Sequence, residues 1–139
     1  MPVQIFNECG TQYDYEDETK SIAEYVLSKE GRHAEIGIVL VDDTTILELN
    51  KKYLQHDYIT DVISFPIDEV DGTLEGELYV CVDQAIRQAR EYEVTLHHEV
   101  SRLVVHGILH LIGYNDATTQ QKALMKEKED EYLGHLKVS

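Results

Sequence analysis

The chain has 139 residues, the size of one ordinary domain, and 42% of them are hydrophobic, enough to build a core. Against 12 Lys and Arg stand 27 Asp and Glu, a formal net charge of −15. This composition excludes a disordered acidic tail, a disulfide-stapled peptide and a surface that holds nucleic acid by bulk attraction. No stretch approaches the roughly 18 apolar residues of a membrane span. The opening segment carries Asp14, Glu16, Asp17 and Glu18 where a secretory leader would be basic and then apolar. Two cysteines, Cys9 and Cys81, are therefore expected as reduced thiols of a cytoplasmic protein, with packing as their role. There is no repeat and no Pro/Gly/Ser linker, so residues 1–139 read as one domain.

Val3–Phe6 is a short β-prone run. Residues 15–29 read as an amphipathic helix with an acidic start that suits the helix dipole, stopped by Gly31. Glu35–Val41, rich in Ile and Val, reads as a buried strand. Asp42–Leu54 reads as a helix with Asp42, Asp43 or Thr44 as its cap and Ile46, Leu47, Leu49 and Tyr53 on its apolar side. After the irregular segment 55–60, Val62–Phe65 is a third strand that Pro66 is expected to stop. Asp71-Gly72 is a turn signal. Gly76–Val82 alternates as a fourth strand, and Asp83 is placed to cap a helix through Tyr92.

From His98 to Ile112 the apolar residues cover most of a helix circumference, the pattern of a helix buried on nearly all sides. Gly113 stands where a C′ glycine belongs. A last helix follows, with Thr118 and Gln121 spaced as a capping box and Gly134 at its end. The order β-α-β-α-β-β-α-α-α predicts an α+β fold: one mixed sheet of about four strands packed with helices, the apolar helix at its centre.

Four of the seven histidines lie between residues 97 and 110. His106 and His110, at i and i+4, project from one helical face, so two imidazoles can reach one metal ion. Gly113 lets the chain reverse, and Asp116 follows as a third candidate ligand. The offsets are those of the metzincin pattern, with a carboxylate for the third imidazole. Three protein ligands leave a fourth position for water, the arrangement of a catalytic site. In the HExxH pattern the residue after the first histidine is a glutamate base; here it is Gly107, which disfavours a peptidase. Asp116 also suits a turn or cap, in which case His135 or a water would complete the shell. His97 and His98 are expected to be exposed ahead of the helix. Arg87, Arg90 and Arg102 offer either local positive potential or a solvated face. Nine tyrosines and no tryptophan give flat faces that could stack bases, although packing is the commoner role.

The run Leu103–Asp116, LVVHGILHLIGYND, resembles the signature of the YbeY-type endoribonucleases that mature ribosomal RNA. Three further blocks agree in order and spacing: Leu49–Pro66 (LNKKYLQHDYITDVISFP), Gly76–Val82 (GELYVCV) and Asp83–Tyr92 (DQAIRQAREY). The resemblance implies a metal-dependent endoribonuclease directed at single strands. It would act at the 3′ end of small-subunit (16S) ribosomal RNA and in ribosome quality control. It also implies one divalent ion, zinc, held by His106, His110 and Asp116, and small-subunit rRNA and ribosomal proteins as partners, with no nucleotide cofactor and no membrane. Thr60, Asp61 and Ser64 fall in a family-typical block and are expected to line the cleft. The chain departs from the family pattern twice. Asp116 stands where a third histidine is usual, and Leu54 follows Tyr53 where an arginine is usual. A non-catalytic ribosome-assembly factor with a structural metal is the rival reading.

Overall fold

The computed structural model describes residues 2–135 as one α+β unit in the expected order. Its elements are β1 (Val3–Asn7), α1 (Glu16–Lys29), β2 (His33–Val41), α2 (Asp43–Leu54), β3 (Val62–Val70), β4 (Thr73–Cys81), α3 (Val82–Tyr92), α4 (Leu96–Leu111) and α5 (Thr119–Leu133). The sheet order is β1-β2-β4-β3. The first two pairings are parallel; β3 and β4 form an antiparallel hairpin. Central β2 is apolar on both faces: Ile36, Ile38 and Leu40 enter the main core with α1, α4 and α5, while Val39 and Val41 meet Ile46 of α2 behind the sheet. That two-sided burial explains its apolar run Ile38–Val41.

Pro66 does not stop the third strand. β3 runs on to Val70, and β4 begins at Thr73, across a two-residue turn in which Asp71 and Gly72 have φ of 52° and 80°. Positive φ at both positions is the backbone a tight hairpin needs. β3 is an edge strand with a register shift between Pro66 and Asp68, and a proline is tolerated at such a place because its missing N–H interrupts no inner ladder. Nor does Asp83 cap α3, which begins at Val82 with Cys81 as its N-cap. The Asp83 carboxylate instead accepts the Asp43 N–H at 3.0 Å, joining the start of α3 to the start of α2.

The central helix is longer than its apolar run. Thr95 caps α4, its hydroxyl accepting the His98 N–H at 3.0 Å. His97 and His98 therefore sit half-buried inside the first turns, with His97 stacked on Tyr15 at 4.4 Å. α4 lies against the β3–β4 hairpin, and Gly107 makes the approach possible: a Cβ there would fall 2.8 Å from Leu78 Cδ2 and 3.2 Å from Ser64 Oγ. Ser64 donates its hydroxyl hydrogen to the Gly107 carbonyl at 3.2 Å.

Glu30 ties three elements together. At the end of α1 it accepts from the hydroxyls of Tyr114, at 2.7 Å, and Tyr132, and lies 3.6 Å from Lys128 Nζ. Burial alone would raise its pKa; the two hydroxyls and Lys128 outweigh it, so the carboxyl sits below its ordinary 4.5. A lowered folded-state pKa means stability that is complete above the unfolded value and lost as pH falls through the folded one. Glu30→Gln should therefore cost about 1.5–3 kcal/mol at pH 7, the worth of hydrogen bonds to a charged group. The deficit should shrink below about pH 4.5. Urea denaturation of both proteins across that range checks it; a pH-independent deficit would contradict the assignment.

Candidate metal centre

The two histidines stand on α4 as their spacing requires. His106 Nε2 and His110 Nε2 are 3.0 Å apart. Gly113, with φ of 112°, takes the backbone that side chains rarely adopt, and the N–H groups of Gly113 and Tyr114 close on the carbonyls of His110 and Leu109. The chain reverses there and brings Asp116 Oδ2 to 3.3 Å from His110 Nε2 and 3.7 Å from His106 Nε2. Immediately beyond, Gln121 Oε1 accepts the N–H groups of Ala117 and Thr118 at 3.0 Å each, completing the expected capping box. Asp116 is thus pinned between a glycine turn and a capped helix.

Ligand atoms about 2.0–2.1 Å from a tetrahedral ion lie about 3.3–3.4 Å from one another, so spacings of 3.0, 3.3 and 3.7 Å fit one such ion. Among the described residues these three are the group that could hold a metal. His135 is elsewhere, stacked on Tyr25 at 3.7 Å.

Sequence reasoning missed Glu129. On α5 it is 7% exposed and accepts from His106 Nδ1 at 2.6 Å. A carboxylate partner accepts, so this hydrogen bond places a ring proton on Nδ1, and Nε2 is the nitrogen that faces Asp116. Arg102 Nη1 approaches Glu129 at 3.6 Å, and its Nε and Nη2 donate to Glu99 at 2.9 and 2.6 Å. Glu99 is fully buried and also accepts from Gln88 at 2.6 Å. The sequence did carry a signal for Glu129: it shares the inner stripe of α5 with Met125, Tyr132 and Leu133.

Two of the three arginines are matched by carboxylates, and Arg90 is exposed. Arg102 is held by two carboxylates, and Arg87 makes a two-pronged pair with Asp43 at 2.7 and 3.0 Å. Of the thiols, Cys81 is buried and donates to Asp43; burial chiefly, helped by that carboxylate, pushes its pKa up to about 12, the condition of an unreactive thiol.

The triad opens onto a cleft of about 610 Å³. Thr60, Asp61 and Ser64 line it as expected, and so does Leu54, 42% exposed. A second groove of about 430 Å³ along α5 shares His106 and Asp116 and is lined by Glu129 and Lys122 among others.

Fold and site define an α+β domain with a His/His/Asp group that could hold a cation at the edge of a polar cleft. The family model "Endoribonuclease YbeY" matches residues 4–137. Endoribonuclease YbeY of Chlorobium luteolum is 38% identical over 98% of both chains, and that of Salinibacter ruber is 40% identical over 81% of this chain and 77% of its own. The solution structure of TM1509 from Thermotoga maritima superposes with a TM-score of 0.67 at 32% identity, covering 94% of this chain and 86% of the other. The chain belongs to the endoribonuclease YbeY family, a family of nucleases. No helix among the described residues is long and apolar enough to cross a membrane.

Proposed function

We propose that this chain is a metal-dependent endoribonuclease that cuts small-subunit precursor RNA near the 3′ end of the 16S sequence and serves ribosome quality control, with ribosomal proteins as partners. His106, His110 and Asp116 would hold one divalent ion, zinc by the preference of imidazole and carboxylate donors in fourfold geometry. The convergence of these three ligand atoms on one cleft, in a member of this family, supports the reading most directly. When bound, such an ion supplies Lewis acidity to a phosphoryl oxygen or to water. The protein's part is to hold the ligands: Glu129 orients His106, the Gly113 turn delivers Asp116, and Ser64 ties α4 to the sheet. Ser64 spends its hydroxyl hydrogen on Gly107 and is not free to act as a nucleophile.

Elemental analysis should find about one ion per chain in the wild type and none in a His106→Ala/His110→Ala variant. Cleavage of a single-stranded RNA from the small-subunit precursor should follow the metal. Wild-type metal content in the variant would remove the triad from the reading. Leu54 on the cleft wall, in place of a cation, favours the second reading, an assembly factor without turnover. No cleavage under any divalent ion, with association to small ribosomal subunits intact, would decide for it.

A further inference from the structure

The cleft poses an electrostatic problem for an RNA enzyme. Asp61 and Asp116 line it, and no lysine or arginine does. At its rim, Lys51 is matched by Asp57 at 3.3 Å, and among the described residues Lys52 is the rim cation without a carboxylate partner, lying 5.2 Å over the Tyr53 ring. In a chain of charge −15, this cleft wall offers a polyanion few phosphate contacts. What the rim offers instead is flat surface. Every residue from Lys51 to Ile59 is exposed, and Tyr58 is 55% exposed, whereas the Tyr53 ring packs edge-on against Phe65 at 5.4 Å. His56 and Tyr58 line the cleft itself, their rings 5.1 Å apart.

These side chains are presented by an ordered backbone. Asn50, 1% exposed, donates from Nδ2 to the Tyr58 carbonyl at 2.8 Å, and its own carbonyl accepts the His56 N–H at 3.1 Å. Gln55 between them takes the left-handed conformation that reverses the chain at the end of α2. A loop anchored from beneath with aromatic rings facing out gains nothing for its own core. It is preorganised for a ligand with flat faces.

We propose that His56 and Tyr58 are a base-stacking surface for unpaired nucleotides of the RNA substrate. This deepens the endoribonuclease reading and rests on it for the choice of ligand. Stacking suits the site because every base has a π face and the interaction needs no charge. It also selects single strands, since paired bases offer no free face.

The test is binding of a short single-stranded RNA carrying 2-aminopurine, with a chelator present so that cleavage does not enter the readout. Tyr58→Ala should weaken binding by about 5- to 150-fold, the range for one lost stacking partner, and Tyr58→Phe should bind like the wild type. The Asn50 anchor uses the Tyr58 carbonyl, so truncating the ring leaves the loop held. Wild-type affinity should fall with salt at a log–log slope near −0.7, the value for one phosphate contact. The same sequence as a duplex should bind at least 10-fold more weakly than the single strand. Unchanged affinity in Tyr58→Ala would overturn the proposal and leave the patch to a protein partner. A slope steeper than about −2 would overturn it in favour of phosphate recognition. Absence of cleavage in metal, with stacking-dependent binding intact, would count against the enzyme alone.

Discussion

Gly107→Glu, the change that would complete an HExxH pattern, is expected to unfold the protein rather than create a peptidase. Gly107 faces the sheet, not the cleft: its absent Cβ points at Leu78 and Ser64. Leu78 is fully buried and cannot swing aside, and Ser64 is tied to the Gly107 carbonyl. Overpacking a core site costs about 1–3 kcal/mol. For Gly107→Ala this is partly offset by the roughly 1 kcal/mol that alanine gains over glycine inside a helix, so a modest net loss is expected. For Gly107→Glu the offset is overwhelmed, because a long side chain and its carboxylate must enter an apolar contact at a further cost of several kcal/mol. Whole domains have only about 5–15 kcal/mol. Thermal denaturation should place Gly107→Ala a few degrees below the wild type and find no cooperative transition in Gly107→Glu. A folded Gly107→Glu protein that hydrolyses peptides would refute this account.

The parts of the site governed by local geometry were legible in the sequence. An i, i+4 histidine pair fixes a helical face, Gly113 fixes a reversal, and Thr118 with Gln121 fixes where the next helix starts. Together they place Asp116 without knowledge of the rest of the chain. The element order and the central apolar helix were legible for the same reason. What could not be read depends on neighbours distant in sequence. Whether Pro66 ends a strand depends on that strand being at the sheet edge, which is a property of the whole topology. Arg102 shows its charge in the sequence but not that Glu99 and Glu129 absorb it. Asp83 looked like a cap because its residue type is right, yet the packing of α2 against α3 gives its carboxylate a different N–H. No lysine or arginine lines the cleft, in keeping with the net charge of −15, and the rings of His56 and Tyr58 line it instead.

Glu129→Gln is expected to lower the zinc affinity of the proposed His106/His110/Asp116 site by about 10- to 100-fold, the usual cost of losing the partner that orients a histidine ligand. The carboxylate accepts, so it holds a His106 proton on Nδ1 and turns Nε2 toward His110 and Asp116. An amide can turn its NH2 to the ring. It would then stabilise the other tautomer, with a proton on Nε2 where a ligand lone pair is needed. Competition with a chromogenic chelator reads the affinity, and ¹⁵N shifts of the His106 ring in the metal-free protein read the tautomer. A folded Glu129→Gln protein with wild-type affinity and an unchanged tautomer would remove Glu129 from this role. The charges around it favour the role. Glu99, Glu129 and Arg102 sum to one formal negative charge, and Asp116 brings a second. Glu99 and Glu129 are buried and the Asp116 side chain is 44% exposed, and a divalent cation held at the proposed site would offset this net negative charge. On this argument Glu129 acts twice, through the tautomer it imposes on His106 and through the charge it contributes. The amide variant loses both, which is why its effect should lie toward the upper end of the range.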